Sequence, residues 1–160
     1  MINKVSDTGA SLIKHFEQCR LAPYLDGVNV ATIGWGNTFY PGGKKVTMND
    51  KPISQVYADT MFKTVLSKFA QDVVHLITVS KTTGLHQHQF DSLVSLAYNI
   101  GVGAFGKSTL LRKVNANPDD PEIVAEFLRW NKAGGKMLPG LTRRRTVEAH
   151  YYITGNLKLT

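Results

Sequence analysis

Between residues 55 and 79 apolar side chains return at steps of three and four, namely Phe62, Val65, Leu66, Phe69, Val73 and Leu76. That spacing predicts one amphipathic helix, with Ser54 as its N-cap. At 1.5 Å per residue such a helix is about 38 Å long, the full length of a small protein. A chain of 160 residues withdraws roughly two-thirds of its unfolded surface from water, enough for one core or two small lobes. The long helix then acts as a spine joining two lobes, and a multidomain enzyme is excluded.

The segments on either side of this spine differ in texture. Ser6-Asp7-Thr8-Gly9 reads as a helix start, followed by Leu12, Ile13 and Phe16, with an end near Glu17. Residues 21–25 and 28–33 read as short strands separated by Asp26-Gly27, a favoured hairpin dipeptide. Glycines 34, 36, 42 and 43, with Pro41, add tight turns. Beyond Lys81-Thr82-Thr83-Gly84, residues Phe90, Leu93, Val94, Leu96, Ala97, Tyr98 and Ile100 are apolar almost all round a helical wheel, which predicts a buried central helix. Gly101, Gly103 and Gly106 break the chain before a short helix from Ser108 to about Val114, stopped by Asn117 and Pro118. Asp119-Asp120-Pro121-Glu122 opens a helix running to Trp130, which Gly134-Gly135 closes. Pro139 opens a last helix through Ile153, with Gly155 as its C-cap glycine. The expected fold is α+β, predominantly α: a small mixed lobe at about 14–54, a linking helix at 55–79, and an all-helical lobe at 80–160.

Charge and cysteine content narrow the partners. The net charge is +7, of which residues 81–160 contribute +5, so the C-terminal half is the one to meet an anionic partner. Arg129, Lys132, Lys136, Arg143, Arg144 and Arg145 lie within seventeen residues free of acids. Such a field suits peptide carboxylates or anionic envelope lipid. It suits equally a solvated helix face with one arginine paired inward to an acid near the helix that ends at Glu17. Cys19 is the single cysteine, so an intramolecular disulfide and a cysteine-based zinc cage are both excluded, and a reducing cytoplasm is the natural place of synthesis. His86 and His88, two apart, point to different faces on a helix, and no metal or cofactor is expected. The first seventeen residues lack a signal-peptide core, and nowhere do eighteen apolar residues follow one another. An extracytoplasmic target has to be reached with outside help.

Glu17, one of four glutamates, stands at a helix C-terminus, where the dipole opposes negative charge. A carboxyl group that keeps its proton is what general-acid chemistry requires. Asp26 at the hairpin turn and Thr32 on the returning strand can fold back against that helix end. Two carboxyl groups and a hydroxyl facing one cavity suit glycoside cleavage. Taken singly, Asp26 also reads as the first residue of an Asp-Gly turn and Thr32 as a strand former. Tyr24 and Trp35 offer faces for sugar stacking or serve as core.

The pattern Glu17-x8-Asp26-x5-Thr32, followed by Ile33-Gly34-Trp35-Gly36, resembles the Glu, Asp, Thr motif of phage-type lysozymes, the endolysins of glycoside hydrolase family 24. The likeness continues in QFDSLVSLAYNIGVGAF at 89–105, FLRWNKAGG at 127–135, and PGLTRRR at 139–145 with Glu148. The resemblance implies a single lysozyme-like domain over residues 1–160 and a muramidase. Its substrate is the β-1,4 bond between N-acetylmuramic acid and N-acetylglucosamine in peptidoglycan glycan strands, cleaved with inversion. By position Glu17 becomes the acid, Asp26 the carboxylate that handles water, and Thr32 its hydroxyl partner. Trp35, Asn99, Val102, Gly103 and Phe105 become candidates for sugar contact. Asn37 stands where many relatives carry His. A monomer is expected, made in the host cytoplasm and released to the periplasm through a holin lesion, with contact to anionic envelope lipids open. The rival readings are a lytic transglycosylase and a basic nucleic-acid-binding module, although no nucleic-acid motif is present and no nucleic-acid partner is expected.

Overall fold

The computed structural model describes residues 2–79 and 84–160, so Lys81, Thr82 and Thr83 of the expected break lie outside the described residues. Helix α1 spans Asp7–Glu17, and Ser6 caps it by accepting the Gly9 N–H on Oγ at 3.1 Å. Strands β1 (Arg20–Leu25) and β2 (Ala31–Gly34) pair antiparallel, with Tyr24 opposite Thr32 and Leu25 opposite Ala31. Helix α2 covers Gln55–Leu76, and Ser54 Oγ accepts the Tyr57 N–H at 3.1 Å, as expected of an N-cap. The helix stops three residues before 79 because Asn115 takes over its end. The Asn115 amide donates to the Leu76 carbonyl at 2.9 Å and accepts the Thr78 N–H at 2.8 Å.

Helices α3 (Gln87–Ile100), α4 (Val102–Gly106), α5 (Thr109–Ala116) and α6 (Ile123–Leu128) follow, then strands β3 (Lys132–Ala133) and β4 (Lys136–Met137), and finally α7 (Pro139–Thr154). The fold is α+β and mostly helical. It separates into two compact units, Lys14–Ser67 on one hand and Met1–Ile13 with Lys68–Thr160 on the other, with the divisions inside α1 and α2.

In the unit of residues 14–67, Ile33, Val46 and Met61 form the buried centre, with Ala31, Tyr40 and Ile53 packed against it. The Ile53 N–H donates to the Leu21 carbonyl at 2.9 Å and so fastens the approach to α2 onto β1. In the other unit α3 is the centre, and every residue from Gln89 to Ala97 is buried, as its apolar circumference predicts. Its polar members are satisfied in place. Asp91 accepts the Ser6 N–H at 3.0 Å, the Ser6 hydroxyl at 2.5 Å, the Gln87 amide at 2.8 Å and the Tyr151 hydroxyl at 3.2 Å. Gly9 is required by this approach, because a Cβ there would fall 2.5 Å from the Asp91 carboxyl carbon.

Several expectations are corrected. The glycines at 101, 103 and 106 do not simply break the chain. Only Gly101 takes a positive φ, 89°, and Gly103 and Gly106 join α4, anchored by the fully buried Phe105. Gly134 and Gly135 do not close the preceding helix, which already ends at Leu128. Both take positive φ, 57° and 77°, and join β3 to β4 as a two-residue hairpin turn. The lobe expected to be all-helical therefore carries a second small sheet. Helix α6 starts at Ile123 because the Asp120 carboxylate, accepting the Glu122 N–H at 2.8 Å, holds Pro121 and Glu122 in a turn before it.

Of the six clustered cations, two arginines turn inward rather than one. Arg144 Nε lies 3.1 Å from Glu148 Oε1 and Arg145 Nε 2.8 Å from Glu148 Oε2, all three side chains being buried. Glu148 is on the same helix as both arginines, at the spacings of three and four residues that helical geometry brings together. The two histidines do not diverge either. His86 is the extended N-cap residue of α3, at φ −73° and ψ 155°, and its ring stacks on that of His88 with centroids 5.4 Å apart.

Candidate active site

Three local devices position the candidate residues of the unit 14–67. The first is the end of α1. Glu17 is its last residue, and Gln18 then takes φ 49°, which turns the chain directly into β1. The Glu17 carboxylate reaches the turn after β2, where a Cβ on Gly36 would sit 3.5 Å from Glu17 Oε2. Gly36 is at φ 89°, a conformation that L side chains rarely adopt.

The second device is the hairpin loop. Expected as a two-residue Asp26-Gly27 turn with the return strand starting at Val28, it is instead longer, and β2 begins at Ala31. The Asn29 N–H closes a turn on the Asp26 carbonyl at 3.0 Å, and the Asp26 N–H pairs with the Val30 carbonyl at 3.0 Å. Asn29, not Gly27, takes the left-handed conformation, at φ 62°. Asparagine tolerates it because its short amide fits that region. The reason for the longer loop lies in the Asp26 side chain, whose Oδ1 accepts the N–H groups of both Val28 and Val30 at 2.9 Å. Those two residues are thereby folded around the carboxylate instead of extending.

The third device is Val30 itself. Its N–H donates to Asp26 and its carbonyl accepts the Thr32 hydroxyl at 2.9 Å, so one residue fixes both side chains. Tyr24 lies directly across the ladder from Thr32, and in a pleated pair opposite residues share a face, as do residues two apart on one strand. Asp26, Tyr24 and Thr32 therefore project on one side of the hairpin. Burial pushes the Tyr24 phenol up, Arg20 beneath its ring pulls it down, and the charges of Glu17 and Asp26 push it further up. Both carboxyl groups are thus within electrostatic reach of the same hydroxyl. Thr32 is buried, and Glu17 and Asp26 are half-buried.

Trp35 follows Gly34 on the turn. Its indole N–H donates to Asp59 Oδ1 at 2.8 Å, its ring tilts against Phe62 with centroids 5.8 Å apart, and the Lys14 ammonium lies 4.9 Å from its centroid. Lys14 also pairs with Asp59 at 3.1 Å. The Trp35 hydrogen bond and Lys14 together hold the Asp59 carboxyl below its ordinary range. Sequence reading missed this Lys14–Asp59–Trp35 cluster, for its members lie far apart along the chain. Asn37 is buried and bridged through its backbone to Ile33. The single thiol, Cys19, is half-buried and 3.6 Å from the Gln55 amide.

The remaining candidates belong to the other unit. Asn99, near the end of α3, accepts the Arg145 guanidinium on Oδ1 at 2.8 Å. Val102 and Gly103 lie on the first turn of α4, and Gly103 is exposed. The Phe105 ring is wholly buried, which leaves its side chain no exposed face for a ligand. Among the described residues no group of three His, Cys, Asp or Glu side chains gathers as a metal site.

Comparison with known proteins bears on what this geometry serves. The model of the phage lysozyme family matches residues 14–148. The endolysin of Bacillus phage B103 is 38% identical over 156 residues, covering 96% of this chain. This chain spans only 56% of that relative's length. Among solved structures, the endolysin from Escherichia coli O157:H7 phage FAHEc1 is 31% identical, with a TM-score of 0.86, covering 98% of this chain and 97% of that one. The muramidase domain of SpmX from Asticaccaulis excentricus is 32% identical, with a TM-score of 0.77, covering 96% of this chain and 99% of that one.

Proposed function

This chain belongs to the phage lysozyme family, and from that premise we propose that it is an endolysin. Its reaction is hydrolysis of the β-1,4 bond between N-acetylmuramic acid and N-acetylglucosamine in peptidoglycan, with inversion at the anomeric carbon. Residues 1–160 form one lysozyme-like domain in this reading. The observation that carries it is the double anchor on Val30, which ties a carboxylate and a hydroxyl to one peptide unit, on the hairpin whose following turn meets Glu17.

The chemistry follows from what each group has left to give. Glu17, as a carboxylic acid, hands its proton to the glycosidic oxygen, so the departing sugar leaves as a neutral alcohol. Asp26 uses Oδ1 on two backbone N–H groups, and its second oxygen takes a proton from the attacking water. The Thr32 hydroxyl spends its hydrogen on Val30, and so meets water as an acceptor. A water with one hydrogen on Asp26 and the other on Thr32 aims its lone pair at the anomeric carbon from the face opposite the leaving group. The bond from water to carbon forms as the glycosidic bond breaks, and the product carries the α configuration. Trp35, Asn99, Val102, Gly103 and Phe105 are the further residues assigned to sugar contact.

Glu17→Gln keeps the shape and removes the proton donor. Turnover of purified sacculi is expected to fall by about 10²–10⁴-fold with an unchanged circular dichroism spectrum, and near-normal activity would reject the assignment. NMR of the first product distinguishes the reaction classes: the α-anomer supports inversion, the β-anomer contradicts it, and predominantly 1,6-anhydro ends identify a transglycosylase instead. The enzyme accumulates in the cytoplasm of an infected bacterium and acts in the periplasm as a monomer after a holin permeabilises the membrane. Among the described residues no helix is long and apolar enough to cross a membrane. With Arg144 and Arg145 buried against Glu148, the exposed members of the basic cluster at 129–145 are Arg129, Lys132, Lys136 and Arg143, and these are the ones of that cluster available to anionic envelope lipid.

A further inference from the structure

Tyr24 is the residue on the hairpin face whose chemistry the reaction above leaves unused. Its ring is half-buried and lies 4.6 Å from the Arg20 guanidinium carbon, a cation–π contact. Arg20 is exposed, so its charge does not compensate a buried acid. What it does is fix the ring of a residue four positions along the strand. Asp26, two residues beyond Tyr24, and Thr32, directly opposite, share its face. Elsewhere in the molecule the described half-buried or buried tyrosine hydroxyls near carboxylates are hydrogen-bonded: Tyr40 to Asp50, Tyr151 to Asp91, and Tyr152 to the Pro118 carbonyl. Among the described residues the Tyr24 hydroxyl makes no such bond, although Glu17 and Asp26 both act on it.

We propose that the Tyr24 hydroxyl is a hydrogen-bond donor to the bound glycan, and that Arg20 is a positioning residue that acts through Tyr24 by holding its ring. The proposal rests on the muramidase reading. A phenol keeps its proton throughout the range in which a carboxylic acid and a carboxylate can work side by side. It therefore gives the site a donor that does not switch off with pH, in a place where the neighbouring groups mostly accept. Arg20 and the two carboxyl groups are the charged groups that face it, together with the Cys19 thiol. Its direction of donation is toward sugar oxygen, and the stacked guanidinium reduces the freedom that the ring would otherwise lose on binding.

The test is a double-mutant cycle on the full chain, using purified sacculi and a defined oligosaccharide substrate. Tyr24→Phe is expected to lower kcat/KM about 3- to 10-fold, the size of one neutral hydrogen bond, while the pH–rate profile keeps its limbs and the thermal midpoint stays near that of the parent. Arg20→Gln is expected to lower kcat/KM several-fold in the parent and to have little further effect in the Tyr24→Phe background. Activity of Tyr24→Phe within twofold of the parent overturns the donor role. Losses that multiply in the double variant overturn the action of Arg20 through Tyr24. A profile that moves along the pH axis without loss at its optimum assigns Tyr24 to tuning the carboxyl groups and likewise overturns it. Failure of the muramidase reading is separate, since it shows as an absence of muropeptide release by the parent chain itself.

Discussion

Gln18 stands at φ 49°, immediately after Glu17, where a side chain costs roughly 1–2 kcal/mol against the right-handed alternatives. The strain has a visible use: it ends α1 at the carboxyl group and sends the chain into β1 within two residues. Glycine carries no such steric cost but loses more backbone freedom on folding. Gln18→Gly is therefore expected to raise the unfolding free energy by about 0.5–1 kcal/mol, read as a higher urea midpoint at constant m-value. A lower midpoint would show that the glutamine side chain contributes contacts exceeding its strain. Asn29, at φ 62°, is the opposite case, because asparagine is among the residues that accept this conformation. The difference bears on what can be read from a chain. The spacing of Glu17, Asp26 and Thr32 is visible along the sequence. The anchor that binds two of them to Val30, and the pairing of Tyr24 with Thr32, depend on a register fixed only when the loop closes around the Asp26 carboxylate.

At the scale of elements, periodicity was a good guide where an element is long. Helices α1, α2, α3 and α7 lie within a few residues of their expected spans, since each buries a stripe or a whole circumference over three or more turns. Short elements escaped it. Two-residue strands such as β3 and β4 have no measurable period, and Gly134-Gly135 reads equally as a helix stop or a hairpin turn. The seam between α3 and α7 is half legible: the arginine run and Glu148 both stand out in the sequence, but that two of the arginines turn inward onto this acid shows only in the packed helix. That seam carries a specific consequence. Glu148 accepts the Ser95 hydroxyl at 2.6 Å while facing Arg144 and Arg145. Glu148→Ala removes the carboxylate that both buried guanidinium groups face, and a loss of about 3–5 kcal/mol in unfolding free energy is expected. Chemical denaturation measures it, and a loss below about 1 kcal/mol would place the guanidinium groups in water instead.

For the molecule as a whole, a net charge of +7 makes acid the direction in which stability is most exposed, because protonating carboxylates adds to an existing positive excess. Two carboxyl groups of the unit 14–67 set where that begins. Asp50 is held below its ordinary range by the Thr47 N–H, with the Thr47 and Tyr40 hydroxyls adding to it. Asp59 is held down first by the Trp35 N–H and then by Lys14. Burial, helped by the Asp50 carboxylate, pushes the Tyr40 phenol up to about 12, so in the Tyr40–Asp50 hydrogen bond it is the acid that titrates first as pH is lowered. Each carboxyl group binds its proton less readily folded than unfolded. Its contribution is therefore complete above the ordinary carboxylate range and is lost as pH falls through the lowered folded values, below about 4. The thermal midpoint is expected to hold from pH 7 to pH 5 and to decline steeply beneath pH 4. In Asp50→Asn with Asp59→Asn the midpoint starts lower at pH 6, since both hydrogen-bond sets are weakened, and the decline below pH 4 is shallower. Calorimetric scans of both proteins from pH 6 to pH 2 decide the matter, and parallel curves would remove these two carboxylates as the origin of the acid sensitivity.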